Sequence, residues 1–525
     1  MFQTTRNRLP NIVLVIYCAI YFFVLMDLLL IDRRPSLDYL SVSLPNWILA
    51  LPGMAMLIWL RLFSQKSRCS NGPMIAINNP LCLSHPVKAQ MALSQKKRFF
   101  LACLLLLGLQ LLMTYCIWFY VGFDVGIVRI SAQYAAAGDV YPLANAYFGT
   151  NPNNLGIYFL TILFLRLGDF LHMDGYILLI FWGAWLSNLA VMLTGLCARR
   201  LTGRNRAMWG GFLWGGLLFG LSPWITVPYT DTFSLLLPVL TLYLYLMFRR
   251  RKMHPFVKVF LICIVPTLGY LVKPTNAIMF IAILCSEIVH YQSIKPTWKK
   301  AIFGVLALIL CMGCCAVAMA GIRHYTGIAL DEVSEKTMMH YAMMGANVET
   351  VGNYNQEDDA YTSSFPGTKL KNQKDWERLR ERLSEMGPTG YLRHIAKKTL
   401  RNFNNGTFGW GREKSDFAEL IPQRDSPVAT FFQDIYYMDG EDSAYRMGKG
   451  GTLYSTYVML VQFLWITLLL FCLAPHECSR DNTLLMFALL GIFFMVTIFE
   501  TNTRYLFSYV PLFVVMGVTG KGDAG

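Results

Sequence analysis

Asp124, Arg129, Asp139 and Tyr141 lie in a polar, aromatic-rich stretch at 120–154, YVGFDVGIVRISAQYAAAGDVYPLANAYFGTNPNN, that closes on Asn151, Pro152, Asn153 and Asn154. A carboxylate placed directly after a long apolar run suits proton abstraction or metal binding at the end of a hydrophobic segment. Capping is the competing role for Asp124, because Asp suits a helix start and IVRISAQYAAA follows. Asp231 repeats the situation: it follows Pro228, Tyr229 and Thr230 and opens the next apolar run. Lys273, in GYLVKPTN, interrupts a hydrophobic hairpin. It can snorkel to an interface or offer a point charge to a phosphate. Glu500 and Arg504 flank the turn in FETNTRYLF. They can neutralise one another, or the guanidinium fork can hold a phosphate. Trp410 stands between glycines in GTFGWGRE, beside Arg412 and Glu413. Its ring is either held for stacking on a sugar or buried as an anchor. No GxxxxGK[ST] and no HExxH occurs, and the eight His are scattered without metal spacing, so neither an ATP-driven pump nor a zinc hydrolase is indicated.

The elements that must position these residues are membrane helices. Of 525 residues, 55% are hydrophobic and only 15% charged, and mean hydropathy is +0.42. Soluble domains carry about 25% charged residues, so lipid is the main solvent here. Apolar runs near 10–31, 47–63, 99–120, 176–197, 208–227, 232–248, 256–272, 276–291, 301–321, 453–474, 484–499 and 505–518 read as spans. The first lacks a small-residue cleavage pattern and reads as a helix that stays.

The net charge of +14 does not point to nucleic acid. The basic residues form clusters between spans: Lys66, Arg68 and 96–98; Arg199, Arg200, Arg204 and Arg206; 249–252; and Lys295, Lys299 and Lys300. That is the pattern of short cytoplasmic loops. A thirteenth apolar stretch, 155–171, breaks the parity, since its crossing would move the Arg199 loop to the other side. It contains Arg166 and Asp169, and we read it as an interfacial or re-entrant helix on the outer side. Both termini are then cytoplasmic. The Asp124 loop, the Tyr229–Asp231 turn, the Lys273 turn and 500–504 share the outer face.

Residues 322–450 differ in composition. LKNQKDWERLRERLSEMG reads as a surface helix and YLRHIAKKTLRNF as a basic amphipathic one. The segment is too long for a connection and reads as a small extracytoplasmic cap, flanked by membrane modules at 1–321 and 451–525. None of the 13 Cys lies in it, so no disulfide is expected there. No internal repeat is evident.

The order of these pieces resembles the GT-C superfamily of membrane glycosyltransferases. ARRLTGRNRAMWGGFLWGGLLFGLSPW followed by PYTD resembles the protein O-mannosyltransferase and aminoarabinose-transferase branches, as do KPTNAIMFIA and TRYLFSYVPLF. The chain departs from the family where it has Asp124-Val125 for an acidic pair and Asn151-Pro152-Asn153-Asn154 for two prolines. The resemblance implies an all-α polytopic fold of about 12 spans with juxtamembrane helices. It also implies a bacterial cell-membrane enzyme of the envelope that uses a polyprenyl-phosphate sugar and acts outside. Asp124 would then be the base, and Asp231 a helper or a ligand for a divalent metal. Lys273, Arg504 and Arg129 would hold the donor phosphate. Trp410, Tyr141, Tyr229, Asn153 and Asn154 would contact the sugar or the acceptor, which is a glycan, lipid or protein. A polysaccharide transporter or flippase, or a glycan polymerase or ligase, is the alternative. A transporter should hold polar sites near the bilayer midplane, where this chain offers only Asp27 and Glu287.

Overall fold

The computed structural model describes residues 8–30, 44–69, 85–291, 298–328, 335–410, 426–437, 452–474, 476 and 478–520. Among them there are helices and turns and no strand. Eight helices are long and apolar enough to cross a membrane, and four more apolar helices are shorter. The chain is a multi-pass membrane protein.

The helix Gly175–Thr202 shows how sequence sets these elements. Asp174 caps it by accepting from the backbone N–H of Tyr176 at 2.8 Å, and Gly203 ends it at φ +74. Asn205–Gly215 returns antiparallel along its flank. Contact is so close that a Cβ on Gly195 would stand 2.7 Å from the Met208 carbonyl oxygen, the small-residue packing that membrane helices use in place of a hydrophobic drive.

The expected span at 208–227 is not one α-helix. It breaks into a π turn at Gly216–Gly220 and a 3-10 turn at Pro223–Thr226, because a Gly-rich run meets Ser222 and Pro223. The carbonyls released by the break are satisfied from outside. Gln110 donates to Gly220 O at 2.7 Å, Thr232 to Trp224 O at 2.8 Å and Tyr436 to Leu221 O at 2.9 Å. A broken helix is tolerated at membrane depth only with such partners.

The helices sort their ends onto two faces. Gly175, the start of Thr230–Ser234, the end of Pro255–Gly269, Tyr325 near the end of Trp298–Thr326, and Phe499 after Arg480–Ile498 all lie toward one face. The basic residues at 199–206, 249–252 and 299–300 lie at the opposite ends. There Arg249 pairs with Asp481 at 2.5 Å, and Arg480 pairs with Glu287, which also accepts from Tyr245 at 2.8 Å.

Leu155–Leu171 qualifies as a span by length and composition. Its contacts run to the ends of three neighbouring helices. Gly156 abuts Leu271 O, so that a Cβ would collide there. Phe159 and Arg166 both meet Tyr325, at 5.2 and 5.3 Å, and Gly168 abuts Gly175.

The expected surface and amphipathic helices near 369–403 are both present, joined in Thr368–Phe403 by a kink at Gly387, φ +58 and ψ 179. Only glycine adopts that backbone easily, and Pro388 then opens the second helix with its fixed φ. Residues 411–425 and 438–451, with Arg412, Glu413 and the Gly/Asp-rich stretch, lie outside the described residues.

Candidate functional site

Asp124 sits in the first turn of Phe123–Ala136, directly after Phe123 at φ +37. A bulky residue there is strained, and strain of this kind gathers at functional sites. The Asp124 carboxylate faces two phenols. Tyr147 donates to Oδ1 at 2.8 Å and the Tyr229 hydroxyl lies 3.2 Å from Oδ2. Asn154 fixes both: its amide N–H donates to Tyr147 Oη at 2.7 Å, and its Oδ1 lies 3.2 Å from Tyr229 Oη. Burial pushes both phenols well above their ordinary value, and the Asp124 charge adds to this. The two tyrosines therefore keep their protons and donate, which holds Asp124 as an acceptor.

Asp231, in the first turn of Thr230–Ser234, is buried against two cations. It forms an ion pair with Lys273, and Arg504 Nε lies 3.5 Å from Oδ2. Burial pulls the Lys273 ammonium below its ordinary value, against the attraction of Asp231. Asn276 pins the Lys273 turn by donating to Gly269 O at 3.0 Å and to Lys273 O at 3.1 Å.

Aromatic rings join the two halves. Arg504 lies over the Phe123 ring at 4.8 Å and the Tyr229 ring at 5.8 Å, so Tyr229 faces Asp124 with its hydroxyl and Arg504 with its ring. Lys273 lies 4.9 Å over Tyr505, whose hydroxyl donates to Glu500 at 3.0 Å. Burial raises the Glu500 carboxyl above its ordinary value. Asn154, Tyr147, Asp124, Tyr229, Arg504, Asp231, Lys273, Tyr505 and Glu500 thus form one connected set, drawn from five separate parts of the chain. Such a set offers a proton acceptor oriented by phenols, next to paired cations able to hold an anion.

Other expected site residues lie elsewhere. Arg129 lies over Tyr120 at 4.5 Å and donates to Gln133 at 3.2 Å, with no bond to the set. Tyr141 packs on Tyr134 at 5.3 Å. Asn153 is exposed and donates to Asn154 at 3.4 Å. Trp410 is fully buried between Phe119 and Trp224, and its indole N–H donates to Tyr436 O at 2.8 Å. Its ring has no free face for a sugar, so the stacking role is withdrawn and the anchor role remains. Among the described residues no group of three His, Cys, Asp or Glu is placed to hold a metal.

Sequence reasoning passed over Tyr147, Phe123 and Tyr505. Tyr147 precedes Asn154 by seven residues, but the turn Pro152–Asn154 breaks the helical register between them, so no periodicity connects the pair.

No curated protein and no solved structure matches the chain. A family profile described as conserved hypothetical integral membrane protein matches residues 77–523, which takes in the whole connected set. The chain belongs to that family of integral membrane proteins.

Proposed function

We propose that the protein is a membrane glycosyltransferase that moves a sugar from a polyprenyl-phosphate donor to an acceptor hydroxyl on the extracytoplasmic face. One observation carries this reading: a carboxylate oriented by two protonated tyrosines stands beside the Lys273–Arg504 cation pair. Asp124 takes the proton of the acceptor hydroxyl. The acceptor oxygen bonds to the anomeric carbon as the bond from that carbon to the lipid phosphate breaks, and the electron pair leaves on the phosphate oxygen. Lys273 and Arg504 receive that charge, while Asp231 offsets one of their two charges before the donor arrives.

The polar set gathers at one end of the bundle, which favours chemistry at the lipid headgroups over transport across the midplane. With the basic clusters on the opposite face, the positive-inside rule supports about 12 spans, both termini in the cytoplasm, and 155–171 lying on the outer surface. On this reading the outer segment within 322–450 is extracytoplasmic.

The test is transfer of labelled sugar from a polyprenyl-phosphate donor in proteoliposomes. Asp124→Asn should lower the rate about 10²- to 10⁴-fold, the usual worth of a positioned base. A wild-type rate in that variant removes Asp124 from the mechanism.

A further inference from the structure

Lys398 is a fully buried lysine in the second half of Thr368–Phe403. No carboxylate forms an ion pair with it among the described residues. Its ammonium donates to Phe499 O at 2.6 Å and to Gly345 O at 2.8 Å. His394, one turn earlier, has Nε2 2.9 Å from the same Gly345 oxygen. Phe499 opens the turn that carries Glu500 and Arg504.

Three further bonds tie this turn and the end of its preceding helix to the outer segment. The Thr501 N–H donates to Gly352 O at 2.7 Å, Thr503 to Arg401 O at 2.8 Å, and Asn402 to Val496 O at 3.0 Å. Two glycines make the approach possible. A Cβ on Gly345 would stand 2.5 Å from Ile498 O, and one on Gly352, at φ +75, would stand 3.0 Å from the Lys398 ammonium. Burial draws Lys398 down to about 7 against the attraction of Glu500. An ionisable group buried so deeply marks a functional candidate.

We propose that Lys398 is a positioning residue: its ammonium locks the 345–352 loop to the 498–504 turn and so sets where the Arg504 guanidinium stands. What Arg504 receives rests on the sugar-transfer reading; the lock itself does not.

The test uses the full chain in lipid nanodiscs, with Lys398→Met and Lys398→Gln. Hydrogen exchange is followed at the Phe499, Thr501 and Arg504 amides, and binding of polyprenyl phosphate is measured alongside. A buried hydrogen bond to a charged group is worth enough that Lys398→Met should speed exchange at those amides about tenfold and weaken polyprenyl-phosphate binding about tenfold. Exchange in Gly175–Thr202 should stay as in the wild type. Lys398→Gln keeps a donor without the charge and should restore part of the protection. Unchanged exchange at the turn in Lys398→Met, or an equal loss of protection along the whole chain, overturns the proposal. If wild type binds no polyprenyl phosphate while Lys398→Met still loosens the turn, the lock stands and the sugar-transfer reading falls.

Discussion

Tyr147 gives Asp124 its shortest hydrogen bond and takes its own from Asn154. Removing the hydroxyl in Tyr147→Phe leaves a buried amide N–H without its acceptor and the carboxylate with one phenol. On the proposed sugar-transfer function, that loss should lower the transfer rate about tenfold with little change in donor KM, readable in steady-state kinetics. Asp231 and Lys273 make a different case, because both are buried and each is the other's counter-charge. Asp231→Ala should cost about 3–5 kcal/mol of stability, since Lys273 is left buried and unpaired, and Lys273→Ala should cost less, because Arg504 still stands 3.5 Å from Asp231. The double substitution should cost less than the sum of the two. Additive losses in denaturant unfolding would mean that the pair is not coupled.

Among the elements, the segment 335–410 is held by buried polar side chains more than by a large apolar core. His340 is buried, with Nδ1 2.7 Å from Thr362, which donates to Asp375 at 2.7 Å. Asp359, Asp358, Lys336 and Lys371 surround it, and burial lowers the imidazole to about 4. The unfolded histidine binds its proton near pH 6.5. Between pH 6.5 and 4 the unfolded chain therefore holds more protons than the folded one. Stability is fully present above pH 6.5 and falls as the pH drops toward 4. Thermal unfolding across that range should show the slope, and His340→Gln should flatten it. Trp410 anchors the same segment to the membrane helices at Trp224 and Phe119. Trp410→Ala should cost about 3–5 kcal/mol through the cavity it leaves, whereas a variant that lost sugar transfer at unchanged stability would return the ring to the site.

For the molecule as a whole, the arrangement of ends is the observation to test. The proposed topology puts the site and the helix Leu155–Leu171 on one face and the arginine clusters on the other. In a chain whose native cysteines are replaced, a cysteine at Arg166 should react with an impermeant thiol reagent from outside the cell. One at Arg206 should react only after permeabilisation. The reverse pattern would turn the molecule over and move the site to the cytoplasm.

Composition and hydropathy were enough to name lipid as the solvent of most of the chain. Long apolar runs and basic loops are local properties, and lipid imposes helices on any segment long enough to enter it. Asp124, Asp231, Lys273 and Arg504 were legible because a charge beside an apolar run is costly and stands out. Tertiary structure alone decided which of them meet. Arg129 lies five residues from Asp124 yet serves an aromatic shelf, while Arg504, 380 residues away, stacks on Phe123. Tyr147 and Lys398 left no mark in the sequence, because a tyrosine near a turn and a lysine in a basic helix look ordinary until folding buries them. The break at Gly216–Gly220 was decided the same way. Composition gives a segment its length and greasiness, but only the partners waiting for its carbonyls and its flanks decide whether it runs straight or breaks.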